Sequence, residues 1–163
     1  MWNSLQRLSE HVALAGGVLM ITVAGMVTAS VAIRSPLVVG RGVPGDFELV
    51  QMGTAVAAFA FLAVCQARRG NIFVDTFTGW LPRRLQSTLD ALWDVVYALF
   101  MAMIAWRLLV GAAGEFSTGT TTMVLGLPTG YAIAICGVLA VLVSIVAFVG
   151  AIAHFNAEQR SPS

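Results

Sequence analysis

Four long apolar stretches, separated by shorter polar segments, divide the chain. They cover residues 12–33, 47–67, 89–110 and 127–153. Each has about the 20 apolar residues that a helix needs to cross the roughly 30 Å hydrocarbon core of a bilayer. None alternates apolar and polar positions as a barrel strand would. The pattern predicts an all-α membrane protein, with four transmembrane helices forming one domain over residues 1–163.

The spacing of apolar residues also predicts two amphipathic segments outside the spans. One is a short helix in the membrane interface between the second and third spans, interrupted at Gly79 and Pro82. The other precedes the first span and is capped by Asn3 or Ser4. The apolar positions are Phe73, Phe77, Trp80, Leu81 and Leu85 in the first segment and Trp2, Leu5, Leu8 and Val12 in the second.

Composition excludes several classes of protein. Hydrophobic residues make up 58% of the 163 and charged residues only 10%, whereas soluble proteins carry about 25% charged residues. A soluble enzyme is therefore excluded. A net charge of +1 gives no field for nucleic acid. Two Cys and two His offer little to a metal, so we expect no cofactor in this chain and membrane lipids around it.

The arginines predict the orientation, because cytoplasmic loops of membrane proteins are enriched in basic residues. Placing both termini in the cytoplasm puts most of the arginines inside, above all those of the second loop. The inside set is Arg7, Arg68, Arg69, Arg83, Arg84 and Arg160, and the outside set is Arg34, Arg41 and Arg107.

Two aspartates lie in the first turns of the third span. Asp90 and Asp94 are four residues apart and so share one helix face. They form either a proton or cation site or ion pairs with Arg83, Arg84 or Arg68. We favour ion pairs, because two carboxylates without further oxygen ligands hold a hard cation poorly.

Glu48 and Arg107 are the other charges within the spans. Glu48 begins the second span and Arg107 falls near the end of the third, so opposite helix directions place both near the outer face. We expect an ion pair between the two helices or a contact of these residues with another protein.

Three motifs carry a resemblance to a known family. They are VPGDFEL at 43–49, CQARRGNIFVD at 65–75 followed by Leu81-Pro82, and LGLP at 125–128. Together they resemble the small membrane subunit, the Q or DctQ-type component, of tripartite ATP-independent periplasmic (TRAP) transporters. Many family members have His where this chain has Asn71, so we assign no proton chemistry there.

The resemblance implies a function in the bacterial inner membrane. A periplasmic binding protein captures an organic acid, and a large membrane subunit carries it inward on a Na⁺ gradient. The small subunit binds the large one as a scaffold and performs no catalysis, and Na⁺ is expected in the large subunit. Subunit-contact or structural residues would be Glu48, Arg68, Arg69, Gly70, Asn71, Asp75, Pro82, Asp90, Asp94 and Arg107. Docking residues for the binding protein would be Arg34, Arg41, Asp46 and Glu48.

Two other classes remain open. An autonomous four-helix transporter resembling small multidrug exporters would need an acidic residue deep in the first span, and residues 12–33 contain none. A membrane anchor of a redox complex would need pairs of histidines at the membrane midplane to bind haem. Transport or a haem spectrum from the isolated chain would identify either.

Overall fold

Four helices make up the computed structural model, which describes residues 2–34, 44–68 and 83–158, with side chains for 3–34, 44–68 and 88–152. All four are long and apolar enough to cross a membrane, which confirms the predicted class. The helices are α1 (Trp2–Ile33), α2 (Asp46–Ala67), α3 (Arg83–Thr118) and α4 (Thr129–Glu158).

The first helix corrects one prediction. α1 runs without a break from Trp2, so the amphipathic stripe before the first span belongs to α1 and is not a separate segment capped by Asn3 or Ser4. No Gly or Pro precedes Gly16 to interrupt the helix. The hydroxyl of Ser9 donates to the Leu5 carbonyl at 2.9 Å within the same helix.

The third helix also extends past its predicted span. It begins at Arg83 and ends at Thr118, beyond Gly111 and Gly114. The last position of the predicted interfacial segment, Leu85, therefore belongs to α3, whereas residues 69–82 lie outside the described part. Gly119 follows the helix with φ +65°, the left-handed conformation that commonly ends a helix.

The helices pack in the order α1, α2, α4, α3. α3 and α4 share the longest interface, α1 packs on α2, and α2 packs on α4. The buried core lies among α2, α3 and α4, and small residues let these helices approach closely, as is common in lipid. Its members are Ala63, Met101, Ala105, Ala140 and Val143.

Glycines allow close approach at two further contacts. A Cβ on Gly16 would lie 2.9 Å from the Cβ of Ala60, and one on Gly53 would lie 2.7 Å from Cγ2 of Val23. Both contacts join α1 to α2. The apolar span of α1 has the smallest share of buried residues and that of α4 the largest, so α1 lies at the edge of the bundle.

Candidate functional site

Asp46 ties α1 to α2 at the end where α2 begins. Its Oδ2 accepts a hydrogen bond from Ser30 Oγ at 2.7 Å and from Arg34 Nη2 at 2.8 Å. Oδ1 accepts the backbone N–H of Phe47 at 2.8 Å. A carboxylate is stabilised at a helix N-terminus, so its position in the first turn of α2 suits it. Two predicted docking residues, Arg34 and Asp46, thus bind each other.

Glu48 joins the same end of α2 to the loop between α3 and α4. Its Oε1 accepts the backbone N–H of Val124 at 2.8 Å, and its Oε2 accepts that of Leu125 at 3.0 Å. Within the loop, Thr122 N–H donates to the Leu127 carbonyl at 2.9 Å and Gly126 N–H donates to the Thr122 carbonyl at 3.1 Å. Glu48 therefore holds a loop that is already ordered by its own hydrogen bonds.

The predicted ion pair between Glu48 and Arg107 is wrong. Among the described residues, the ion pairs are Arg34 with Asp46 and Arg68 with Glu10. The reason is the length of α3, which continues for three more turns after Arg107. Arg107 therefore lies well inside the helix, whereas Glu48 lies in the first turn of α2 and meets the loop that follows α3.

An open cleft of about 720 Å³ lies beside this loop, between α2, α3 and α4. Most of its lining is apolar, with the carboxylates of Asp46 and Glu48 at one edge. Within the described part of the chain, no three His, Cys, Asp or Glu side chains group as metal ligands. The described contacts at this end tie helices and a loop together.

At the other end of α2, two contacts tie it to α1. Arg68 Nη2 lies 3.1 Å from Glu10 Oε1, and Gln6 Nε2 donates to the Ala67 carbonyl at 3.4 Å. The first contact corrects a prediction, because Arg68 pairs with Glu10 and not with an aspartate of α3. The helix pair α1–α2 is therefore fastened by polar contacts at both ends.

Asp94 is buried against Gln66, a residue whose role the charge pattern did not indicate. Only 6% of Asp94 and 5% of Gln66 is exposed, and Gln66 Nε2 donates to Asp94 Oδ1 at 3.0 Å. Asp90, on the same helix, is half-buried. The sequence did contain a signal for this contact. Gln66 lies near the end of an apolar helix, and polar side chains in such helices usually face the protein interior.

Two further polar contacts hold α3 to α4. Ser144 Oγ donates to the Ala98 carbonyl at 2.8 Å, and Thr129 Oγ1 donates to Glu115 Oε2 at 2.6 Å. The first lies inside the interface and the second lies where α4 begins. Together with the apolar core, they fix α3 and α4 as one unit.

Several predicted site residues fall outside the described residues or side chains, and their roles stay predictions. In the loop motif these are Arg69, Gly70, Asn71, Asp75 and Pro82, and in the first loop Arg41. The side chains of Arg83 and Arg84, offered as partners of the aspartates, are likewise outside the described set.

We expect Glu48→Ala to loosen the α3–α4 loop without unfolding the bundle. Removing the carboxylate leaves the Val124 and Leu125 amides without their acceptor. Hydrogen bonds to a charged group are among the stronger ones, so hydrogen exchange of these amides should accelerate by about tenfold or more. Mass spectrometry of the chain in nanodiscs measures that exchange.

Glu10→Ala is the matched control, because it removes an exposed carboxylate whose ion pair lies at the other end of α2. It should leave exchange at Val124 and Leu125 unchanged. Equal protection of these amides in Glu48→Ala and the wild type would contradict the assigned role of Glu48.

The four apolar helices define the class of this chain as a multi-pass membrane protein. Comparison with protein families then gives a specific result. The family described as tripartite ATP-independent periplasmic transporters, DctQ component, matches residues 23–154. The chain belongs to this family, whose members are components of transporters and not enzymes. No curated protein and no solved structure matches the chain.

Proposed function

We propose that the chain is the small membrane subunit of a TRAP transporter and binds the large membrane subunit as a scaffold. The complex imports an organic acid, delivered by a periplasmic binding protein, on a Na⁺ gradient that acts through the large subunit. The observation that carries the proposal is the family match over 23–154, which takes in the end of the first apolar helix and the whole apolar span of the other three.

The polar contacts support a scaffold that keeps its shape. Asp46 fastens α1 to α2 at one end and Arg68 fastens them at the other. Glu48 joins α2 to the α3–α4 loop, and Ser144 joins α4 to α3. A part that carried substrate across the membrane by itself would have to rearrange these contacts, whereas a fixed support keeps them.

The proposed setting is the bacterial inner membrane, with both termini in the cytoplasm. This orientation follows from the arginine distribution and directs the α1–α2 and α3–α4 loops to the periplasm. Arg34, Asp46 and Glu48 would then lie on the periplasmic side, where the binding protein delivers its substrate. Their contacts to one another and to the α3–α4 loop would keep that surface in a fixed shape.

Co-purification tests the proposed partner. The chain carries an affinity tag and is expressed with a large TRAP membrane subunit from the same genome, and the pair is extracted in mild detergent. We expect the large subunit to elute with the chain in equal amounts. A tagged four-helix membrane protein of another family is the control and should not retain it.

Elution of the chain alone would contradict the proposal. Solute transport by the isolated chain in liposomes would favour the autonomous transporter, and a haem spectrum would favour the redox anchor.

A further inference from the structure

Arg107 is an exposed charge inside a transmembrane segment. It lies in the apolar span Thr88–Thr118 of α3, and its side chain is exposed. Among the described residues, its guanidinium has neither an ion pair nor a hydrogen bond. Arginines within membrane spans usually face the protein interior and pair there, so this position needs an explanation.

Arg107 lies well inside α3 and not at either of its ends. The next residues, Leu108 and Leu109, pack against Gly137 of α4, which lies roughly 12 Å along the helix axis from Thr129, where α4 begins. On α3 itself, the nearest charges are Asp94 and Glu115, several turns and about two turns away. Apolar helix therefore surrounds Arg107 on both sides.

An arginine in the hydrocarbon without a partner is unfavourable. Charged side chains are rare inside membrane spans for this reason. A lipid phosphate could meet it only if the side chain stretched to the interface or the bilayer thinned locally. A carboxylate on a neighbouring helix meets it in place and can bind the guanidinium through two hydrogen bonds.

The surface around Arg107 has the composition of a protein interface. Trp106 is 70% exposed and Met103 57% exposed, and Trp, Met and Arg are enriched at protein contacts. The Cα atoms of Gly111 and Gly114 have open space above them, which allows another helix to approach closely in lipid. This surface lies opposite the side of α3 that carries the buried residues Met101 and Ala105.

We propose that this surface of α3 docks on a transmembrane helix of the large subunit that presents an Asp or Glu carboxylate to Arg107. We call it the Arg107 face, and the proposal rests on the proposed function. The carboxylate neutralises Arg107, and Gly111 and Gly114 allow the helix that carries this carboxylate to approach closely. The residues of the Arg107 face are Met103, Trp106, Arg107, Val110, Gly111 and Gly114.

Two substitutions on the Arg107 face test the proposal. Arg107→Leu removes the charge, and Gly114→Leu fills the open space. The Arg107 side chain is exposed and the space above Gly114 is open, so neither position packs within the bundle. The isolated variants should therefore melt in detergent at the wild-type temperature or above. Truncating one member of a buried charge pair at an interface weakens binding strongly, so co-purified large subunit should fall by at least about tenfold in each variant.

Arg7→Leu is the matched control, because it removes an exposed arginine of α1, the helix at the other edge of the bundle. It should retain the large subunit at the wild-type level. Arg107→Glu should also lose the large subunit, and replacing the facing carboxylate of the large subunit with Arg should restore binding.

Three results would overturn the proposal. If wild type and Arg107→Leu retain the large subunit equally, the Arg107 face is not the contact, although the proposed function stands. If Arg107→Leu loses only co-purified anionic lipid and keeps the large subunit, a phosphate binds Arg107. If the wild-type chain retains no large subunit, the proposed function fails as well.

Discussion

Gln66→Leu is expected to lower the free energy of unfolding of the chain in detergent by about 1–3 kcal/mol. Gln66 donates to Asp94 at 3.0 Å, and both side chains are almost fully buried between α2 and α3. The leucine fills the space but offers no donor, so the Asp94 carboxyl group stays buried without this hydrogen bond. Reversible unfolding in mixed micelles, followed by circular dichroism, measures the loss.

A matched control separates this effect from a general response of α2. Gln51→Leu changes an exposed glutamine of the same helix and should alter stability little. The double variant Gln66→Leu/Asp94→Leu should recover part of the loss, since a buried polar pair replaced by apolar residues is often tolerated better than half of the pair. Equal effects of Gln66→Leu and Gln51→Leu would contradict the assigned pairing.

Gly45→Ala is expected to cause the second large loss of stability. Gly45 precedes α2 with φ +78°, a conformation in which a residue with a side chain carries strain of about 1–3 kcal/mol. The added methyl group would also collide with Leu125, whose Cδ1 lies 2.8 Å from the position of the new Cβ. Leu125 cannot retreat freely, because its N–H is bound by Glu48.

Comparison with Gly126→Ala separates the effect of the collision from the effect of backbone strain. Gly126 has φ +65° and lies in the same loop as Leu125, but its Cβ position is open. It should therefore show the strain alone, and Gly45→Ala should lower the melting temperature further. Similar melting temperatures for the two variants would show that the contact between Gly45 and Leu125 contributes nothing to stability.

Hydropathy located the four helices but not all of their ends. α2 begins and ends within one residue of prediction, because Gly45 precedes it and its apolar run nearly fills it. α1 and α3 are much longer than their apolar runs. Hydropathy detects the part of a helix that lipid can accept, whereas backbone hydrogen bonding continues through polar turns and, in α3, past Gly111 and Gly114.

The charged residues of the site were recognisable in the sequence, but most of their partners were not. Glu48 binds backbone amides of a loop, and every loop offers such amides regardless of its side chains. Its expected partner, Arg107, was misplaced because the end of α3 was misplaced. Asp94 binds an uncharged residue, Gln66, which a search for opposite charges does not find.

The central claim is that this chain supports transport without conducting solute itself. The most direct measurement is uptake into proteoliposomes under a Na⁺ gradient, using the radiolabelled organic acid that co-purifies with the periplasmic binding protein. We predict uptake when the large subunit, the binding protein and this chain are all present, and none when any one of them is omitted. Equal uptake without this chain, or uptake by this chain alone, would contradict the account.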